Sequence, residues 1–160
     1  MNPQRAMQLA LALGLSLYFS LVCLNNLLDW SSNFAFVEHV LSMDTILPES
    51  SLAWRSITSP FLHHLCYGFI IAVEGLIAGL CLGGWRAMVH TARSPSRDFK
   101  QAKHLLLWGL VSAYTLWFIG FVAIGSEWFA MWQSKIWNGK STAMDITLVC
   151  LGSFLIISLD

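Results

Sequence analysis

The sequence has few charged residues. Asp, Glu, Lys and Arg together make up 11% of its 160 residues, against roughly 25% in an average soluble domain. Nine basic and nine acidic side chains are too few to cover the surface of a soluble protein of this length. Hydrophobic residues, in contrast, make up 56% of the chain. We therefore predict that lipid, rather than water, surrounds most of this protein.

A net basic charge and catalytic motifs are also lacking. The formal net charge is zero, so the chain has no basic field to attract the phosphates of DNA or RNA. The sequence contains no HExxH, GxSxG or paired Cys-x-x-Cys motif and no glycine-rich phosphate loop. We predict a protein that does not bind nucleic acid, is not an enzyme and carries no cofactor.

Four apolar runs are long enough, or nearly so, to cross a bilayer as helices, which takes about 20 residues each. They cover residues 7–28, 65–88, 105–125 and 142–159. Each run is continuously apolar rather than alternating, which favours helices over the strands of a barrel. Asp145 lies near the start of the last run, where it can reach the interface. We predict an all-α integral membrane protein, with residues 1–160 forming a single domain, an antiparallel four-helix transmembrane bundle.

Lys and Arg residues are unevenly distributed around these spans. Six lie near the amino terminus or between the second and third spans, and three lie on the opposite side. An excess of Lys and Arg marks the cytoplasmic side of a membrane protein. We therefore predict that both termini and segment 89–104 are cytoplasmic, and that segments 29–64 and 126–141 are external.

The first external segment is too long and too apolar to be a plain connector. The spacing of its apolar residues predicts a short amphipathic helix over 34–43, and Pro48 predicts a turn. A second short helical piece is expected through Trp54, before Pro60 leads into the second span. We expect these pieces to form an ordered external cap, held together by an ion pair between Arg55 and either Asp44 or Glu127.

The second external segment contributes tryptophans to the same cap. Trp128, Trp132 and Trp137 lie within residues 126–141. Tryptophan concentrates at the lipid headgroups because its ring is apolar and its N–H needs a partner, so an interfacial belt is one interpretation. A docking surface for another protein is the other, and the sequence leaves both open.

Glu74 is the charged residue that lies deepest in a predicted span. It is about nine residues inside the second span, where an ionised carboxylate is costly unless it is paired or protonated. It should face inward, on the helix face that it shares with His63 and Tyr67. One interpretation is functional, a proton or cation step or a ligand contact. The other is structural, a protonated Glu74 bonded to a hydroxyl of Tyr114, Ser112, Ser16 or Ser20.

Small residues recur in the same span. Gly75, Gly79 and Gly83 are four residues apart and form one stripe along a helix. Such a stripe lets a neighbouring backbone approach closely. The neighbour is either another span of this chain or a second copy of it.

The external segments contain the side-chain types that bind copper or zinc. They include Glu38, His39, Met43, Asp44 and His63. His39 and Met43 are four residues apart and share a helix face, but no motif with metal-ligand spacing accompanies them. Ordinary interfacial hydrogen bonding is the preferred interpretation, and a metal or redox site is kept as an alternative.

Three segments resemble a known family. FVEHVLSMDT at 36–45, WRSITSPFLHH at 54–64 and GSEWFAMWQSKIWNG at 125–139 are similar to the signature segments of the bacterial family of predicted small integral membrane proteins called domain of unknown function 2165. The resemblance extends over the whole chain, including Glu74 and Asp160. It implies four spans in a bacterial inner membrane, and it implies no activity.

These observations predict a non-enzymatic inner-membrane protein that acts through protein contacts. It would be an accessory subunit of a larger membrane complex, or an immunity-type factor against a membrane-targeting toxin. Besides the bilayer, its partner would be such a membrane protein or toxin, or a second copy. The alternative is binding or transport of a small ligand or ion through a polar pocket with Glu74 at its floor. The candidate interaction or pocket residues are Glu38, His39, Met43, Asp44, Trp54, Arg55, His63, Glu74, Glu127, Trp128, Trp132 and Trp137.

The distribution of Lys and Arg makes the topology testable. Reporter fusions to either terminus, and to segment 89–104, should give the signal of a cytoplasmic reporter, whereas a reporter inserted near Pro48 should give the external signal. A fusion series with the opposite pattern would contradict the predicted orientation.

Overall fold

Helices account for most of the computed structural model, which describes residues 2–159. In that range, four helical segments are long and apolar enough to span a membrane. This confirms the all-α membrane fold predicted from the sequence. The helices are α1 (Pro3–Leu28), α2 (Trp30–Ser42), α3 (Pro60–His90), α4 (Ser96–Ala102), α5 (His104–Tyr114), which continues as a π-helix (Thr115–Trp128), and α6 (Lys140–Ser158), with short 3₁₀ turns at Ala53–Arg55 and Met131–Gln133.

Local sequence signals explain where several helices begin and end. Pro3 occupies the first turn of α1, and the Asn2 side chain caps that helix by accepting a hydrogen bond from the backbone N–H of Arg5 at 2.8 Å. Pro60 likewise occupies the first turn of α3, although the Ser59 side chain makes no capping hydrogen bond there. Met43 ends α2 in a left-handed conformation, with φ 54°.

Two connecting segments differ from their predicted form. Helix α2, in the segment predicted to be external, begins at Trp30 rather than at residue 34, so only Asp29 separates it from α1. Segment 89–104, predicted only as the connection between the second and third spans, contains helix α4. Phe99 of α4 is buried in the main core, so this helix is held by packing that the charge pattern of the segment does not reveal.

The ends of three spans meet at one end of the molecule. Arg5 Nη1 donates hydrogen bonds to the carbonyls of Ala92 at 3.2 Å and Ser94 at 2.8 Å. Gln8 Nε2 donates to the carbonyls of Ile156 at 3.0 Å and Leu159 at 2.9 Å. We name this the basic end, because it carries Arg5 together with Arg93, Arg97, Lys100 and Lys103. The opposite end, formed by α2 and segments 43–59 and 129–139, is the cap end.

The outer half of the third span is a wide helix. Over 14 residues, Thr115–Trp128, the hydrogen bonds run between residues five apart instead of four. Such π-helices are rare and usually a single turn long. The buried residues Trp117, Val122 and Ser126 recur every four to five positions, which suits the wider turn.

Two glycines allow α3 and α5 to pack closely. A Cβ atom added at Gly84 would lie 2.4 Å from the backbone nitrogen of Leu106, and one added at Gly109 would lie 2.8 Å from Cys81 Sγ. No larger residue fits at either position without movement of the neighbour. These glycines therefore set the distance between α3 and α5.

The glycine stripe predicted for close packing does not have this role. An added Cβ at Gly79 would meet nothing within 4 Å, and one at Gly75 or Gly83 would be at ordinary contact distance, 3.7 or 3.6 Å. Within this chain the stripe is therefore not the point of closest approach, whereas contact of the stripe with a second copy stays a prediction. Adjacent positions on a helix point in directions about 100° apart. The close approach therefore falls on Gly84 instead of Gly83.

The buried side chains form two cores. The main core lies among the spans and includes Phe19, Ile77, Leu110 and Trp117. A second core joins α2 to the first turns of α3 and to the segment after Trp128; its members are Val37, Leu41, Met43, Tyr67, Ile71, Phe129 and Ala130. The cap end thus has a hydrophobic core of its own, which accounts for an ordered arrangement of short helices and turns.

Glycines in close contact with a neighbouring helix and glycines in open space should respond differently to substitution by alanine. Gly84→Ala should lower the free energy of unfolding by about 1 to 3 kcal/mol, because its Cβ meets the backbone of Leu106. Gly79→Ala is the matched control on the same helix and should cause no loss, since its Cβ enters open space. Thermal unfolding of the purified proteins in one detergent measures both. Equal midpoints for the two variants would contradict the packing described here.

Candidate functional site

An exposed cluster of two tryptophans and one arginine lies at the cap end. The guanidinium carbon of Arg55 is 4.5 Å from the ring centroid of Trp128 and 5.4 Å from that of Trp54. The two indole rings meet edge to face, with centroids 6.0 Å apart. Trp54 is 72% exposed and Trp128 is 47% exposed. We name these three residues the outer tryptophan cluster.

The partner predicted for Arg55 was wrong. Arg55 Nη1 donates to the carbonyl oxygen of Trp128 at 3.2 Å, and neither Asp44 nor Glu127 pairs with it. A flat guanidinium stacks on aromatic rings while its N–H groups bind a carbonyl, which a sequence pattern of charges does not reveal. Each acid has another partner: Asp44 Oδ2 lies 2.7 Å from His39 Nδ1, and Glu127 accepts from Lys140 Nζ at 2.7 Å.

Trp137 has a different role from the outer tryptophan cluster. Its ring stacks on His39, with centroids 4.6 Å apart and planes 13° apart, and it meets the edge of Phe36 at 6.2 Å. It is half-buried and ties α2 to the segment before α6. Trp132, in contrast, is 47% exposed.

Polar contacts that the sequence did not suggest join the two cap segments. Thr45 Oγ1 donates to Ser134 Oγ at 2.9 Å, and the backbone N–H of Leu47 donates to Gln133 Oε1 at 3.2 Å. Serine, threonine and glutamine in a connector carry no signal of their partner, so only the folded chain reveals this link. Met43, a predicted candidate ligand, is buried in the core beneath it.

His63 is buried at the start of α3. Its Nε2 lies 2.7 Å from the carbonyl oxygen of Ile57, and that acceptor requires the proton to be on Nε2. Its Nδ1 lies 3.9 Å from Glu38 Oε1 and makes no hydrogen bond. In residues 2–159, no group of three or more His, Cys, Asp and Glu side chains is arranged to hold a metal ion. The candidate ligands come together only in pairs.

Glu74 is joined to α1 by an amide. Asn26 Nδ2 lies 2.8 Å from Glu74 Oε1 and 2.7 Å from Oε2. The hydroxyl of Tyr67 donates to the backbone carbonyl of Asn26 at 2.9 Å. Glu74, Tyr67 and His63 are all buried, which confirms the shared inward face predicted for them.

The predicted hydroxyl partners of Glu74 were wrong. Ser16 and Ser20 donate to carbonyls four residues back in their own helix, at 2.6 and 2.7 Å. The true partner, Asn26, lies in the last turn of α1, so Glu74 is nearer the cap end of α1 than its position in α3 suggests. The signal available in the sequence was Asn26, an amide residue at the end of the first apolar run.

Among the cavities in the part of the chain that the structure describes are the following three. A groove of about 620 Å³ runs between α1 and α6. A cavity of about 220 Å³ lies at the basic end, between Arg5 and Lys100. An apolar cavity of about 210 Å³ lies between α2, α3 and the π-helix. Glu74 lines none of the three.

Comparison with known proteins gives one match. The family model described as "Predicted small integral membrane protein (DUF2165)" matches residues 4–160. No curated protein and no solved structure matches the chain. The residue Asp160, part of the resemblance noted in the sequence, lies outside the described residues.

The link between Asn26 and Glu74 predicts a strong coupling between them. Asn26→Leu should destabilise the protein by about 1 to 3 kcal/mol, because it leaves a buried carboxyl group without its donor. Glu74→Leu in the Asn26→Leu background should restore part of that loss, since both polar groups are then gone. Glu74→Gln keeps an acceptor and should fold normally. Thermal unfolding of the single and double variants measures the coupling, and strictly additive effects would show that the two residues do not act as a pair.

Proposed function

Since the chain belongs to the family of predicted small integral membrane proteins called domain of unknown function 2165, we propose that it is a non-enzymatic membrane protein that binds another protein through the outer tryptophan cluster. The partner would be a larger membrane complex to which this chain is an accessory subunit, or a membrane-targeting toxin that it intercepts. The observation that carries this proposal is the stacking of Arg55 on two exposed tryptophan rings at the cap end.

The outer tryptophan cluster lies at the cap end. Trp54 and Arg55 precede the first residue of α3, and Trp128 is the last residue of the π-helix. The residue before Trp128, Glu127, accepts from Lys140 Nζ at 2.7 Å, so the cluster lies close to the start of α6. Since Trp54 is 72% exposed there, a partner that reaches the cap end meets its ring directly.

The chemistry and rigidity of the cluster suit protein recognition. Tryptophan and arginine dominate the residues on which binding energy depends in protein interfaces. Arg55 holds both rings before any partner arrives, which lowers the entropy lost on binding. Exposed aromatic rings in this fixed arrangement support a docking surface.

Other sites give less support to the alternatives. Transport would need a polar pocket that reaches Glu74, and Glu74 instead binds Asn26 and lines none of the three cavities in the described residues. We further propose that the membrane is a bacterial inner membrane with the basic end in the cytoplasm. The concentration of Lys and Arg at the basic end supports that orientation.

Affinity purification in mild detergent tests the proposal. The tagged protein should bring down a partner in stoichiometric amount, and the double variant Trp54→Ala, Trp128→Ala should reduce its recovery about tenfold or more, the loss expected for removal of tryptophan anchors. Trp108→Ala is the control, since Trp108 is 65% exposed on α5, outside the cluster. Repeated isolation of the protein alone, or equal recovery with all variants, would contradict the proposal.

A further inference from the structure

An apolar groove lies between the first and last helices of the protein. It is about 620 Å³ in volume and almost entirely apolar, and its lining includes Ala10, Gly14 and Tyr18 of α1 and Asp145 and Ser153 of α6. From Met7 to Tyr18 it follows α1 for about 16 Å, or three helical turns. The groove therefore opens toward lipid along much of the bilayer.

One wall of the groove carries a carboxylate without a partner. Asp145 is exposed, and it makes no hydrogen bond or ion pair with any residue in the range 2–159. It lies five residues after Lys140, the first residue of α6, and so about 7 Å along the helix axis. The groove wall around it is almost entirely apolar. A basic side chain brought into the groove would pair with this carboxylate, as no residue of the described chain does.

We propose that this groove receives a transmembrane helix of a different protein, and that a Lys or Arg of that helix pairs with Asp145. The floor of the groove suits a helix: Ala10 and Gly14 are four residues apart, and a Cβ added at Gly14 would meet nothing within 4 Å. Small residues at this spacing allow close helix contact in lipid. The carboxylate supplies the charge that selects the partner.

A second copy of this chain lacks the required cation. The Lys and Arg residues of its spans, Arg5, Arg86, Arg97, Lys100 and Lys103, all lie toward the basic end. Lys140 begins α6 and pairs with Glu127. A second copy in the same orientation would therefore bring no basic side chain to the depth of Asp145. The charge favours a different membrane protein.

A lipid is the other conceivable occupant. The ammonium group of a phospholipid lies among the headgroups, outside the hydrocarbon core, whereas Asp145 lies about 7 Å inside the start of α6. A basic side chain on a helix has no such restriction in depth. This difference favours the helix, and the experiment below separates the two.

The inference goes beyond the proposed function, because it needs no contact at the outer tryptophan cluster. The two surfaces are formed by different residues and carry different chemistry. Loss of one can therefore be measured while the other is intact.

The full-length protein in liposomes, mixed with synthetic transmembrane peptides, provides the test. The peptides are Leu/Ala helices of about 22 residues with one Lys at the depth of Asp145, moved over about four consecutive positions so that every helix face is sampled. The matched peptides carry Leu instead of Lys, or Lys at the same depth in the opposite leaflet. Energy transfer between labelled protein and peptide measures association.

At least one of these Lys peptides should associate about tenfold or more tightly than its Leu counterpart. Asp145→Asn should abolish that preference, whereas Glu38→Gln, which removes an exposed acid outside the groove, should retain it. Gly14→Leu should weaken binding of the Lys peptide by filling the groove, and Gly79→Leu, which also has open space around its Cβ, should not. Since Asp145 has no partner in the described chain, Asp145→Asn should fold as well as the wild type.

Several results would overturn the inference. A Lys preference that survives Asp145→Asn would mean that the carboxylate does not select the helix. Equal binding of Lys and Leu peptides would show that charge does not contribute to recognition of the helix. Phospholipid retained by the wild type and lost with Asp145→Asn in native mass spectrometry, without peptide binding, would identify a lipid as the occupant. A Glu peptide provides a control that needs no protein variant: it should bind more weakly than the Leu peptide, and tighter binding would contradict the proposal.

Discussion

Lipid offers no hydrogen-bond partner, and this constraint decides where the polar groups of the protein lie. Gln8 donates hydrogen bonds to carbonyls at the end of α6. Ser16 and Ser20 donate to backbone carbonyls of their own helix, α1. Glu74 is accommodated within a span because Asn26 reaches both of its oxygens from α1. The same link joins α1 to α3. Asp145 is a carboxylate in α6 with no such partner in the described chain, and it therefore directs attention to the groove in which it lies.

Unequal helix lengths produce the second main feature of the fold. One end of the bundle is level, because α1 is bonded there to α6 and to the segment after α3. Helix α3 has 31 residues and α6 has 19, so α3 is the longer span. The start of α3 packs in a second core, to which α2 and the segment after Trp128 contribute. This core supports the cap end, where Arg55 stacks on Trp54 and Trp128.

The accuracy of the sequence predictions depended on whether a feature is local. Apolar runs indicated all four long helices, although α3 begins earlier than expected, at Pro60. Contacts between helices were harder to predict. The close approach at Gly84 differs by a single residue from the predicted stripe, and the partner of Glu74 proved to be an amide instead of a hydroxyl. Arg55 stacks on Trp54, the residue before it, and on Trp128, which is 73 residues away in the sequence, rather than pairing with an acid.

By itself, the sequence determined that lipid surrounds most of the protein, that the fold is all-α and that it has four long apolar helices. Each of these depends on the composition of continuous segments. It also determined that Glu74 faces inward, because an acid in lipid has few alternatives. Only the tertiary structure decided which side chains meet: the pairing of Glu74 with Asn26, the stacking of Arg55 and the open groove beside Asp145. These contacts depend on how far each helix extends and how it is rotated against its neighbours, which the packing of the whole chain sets.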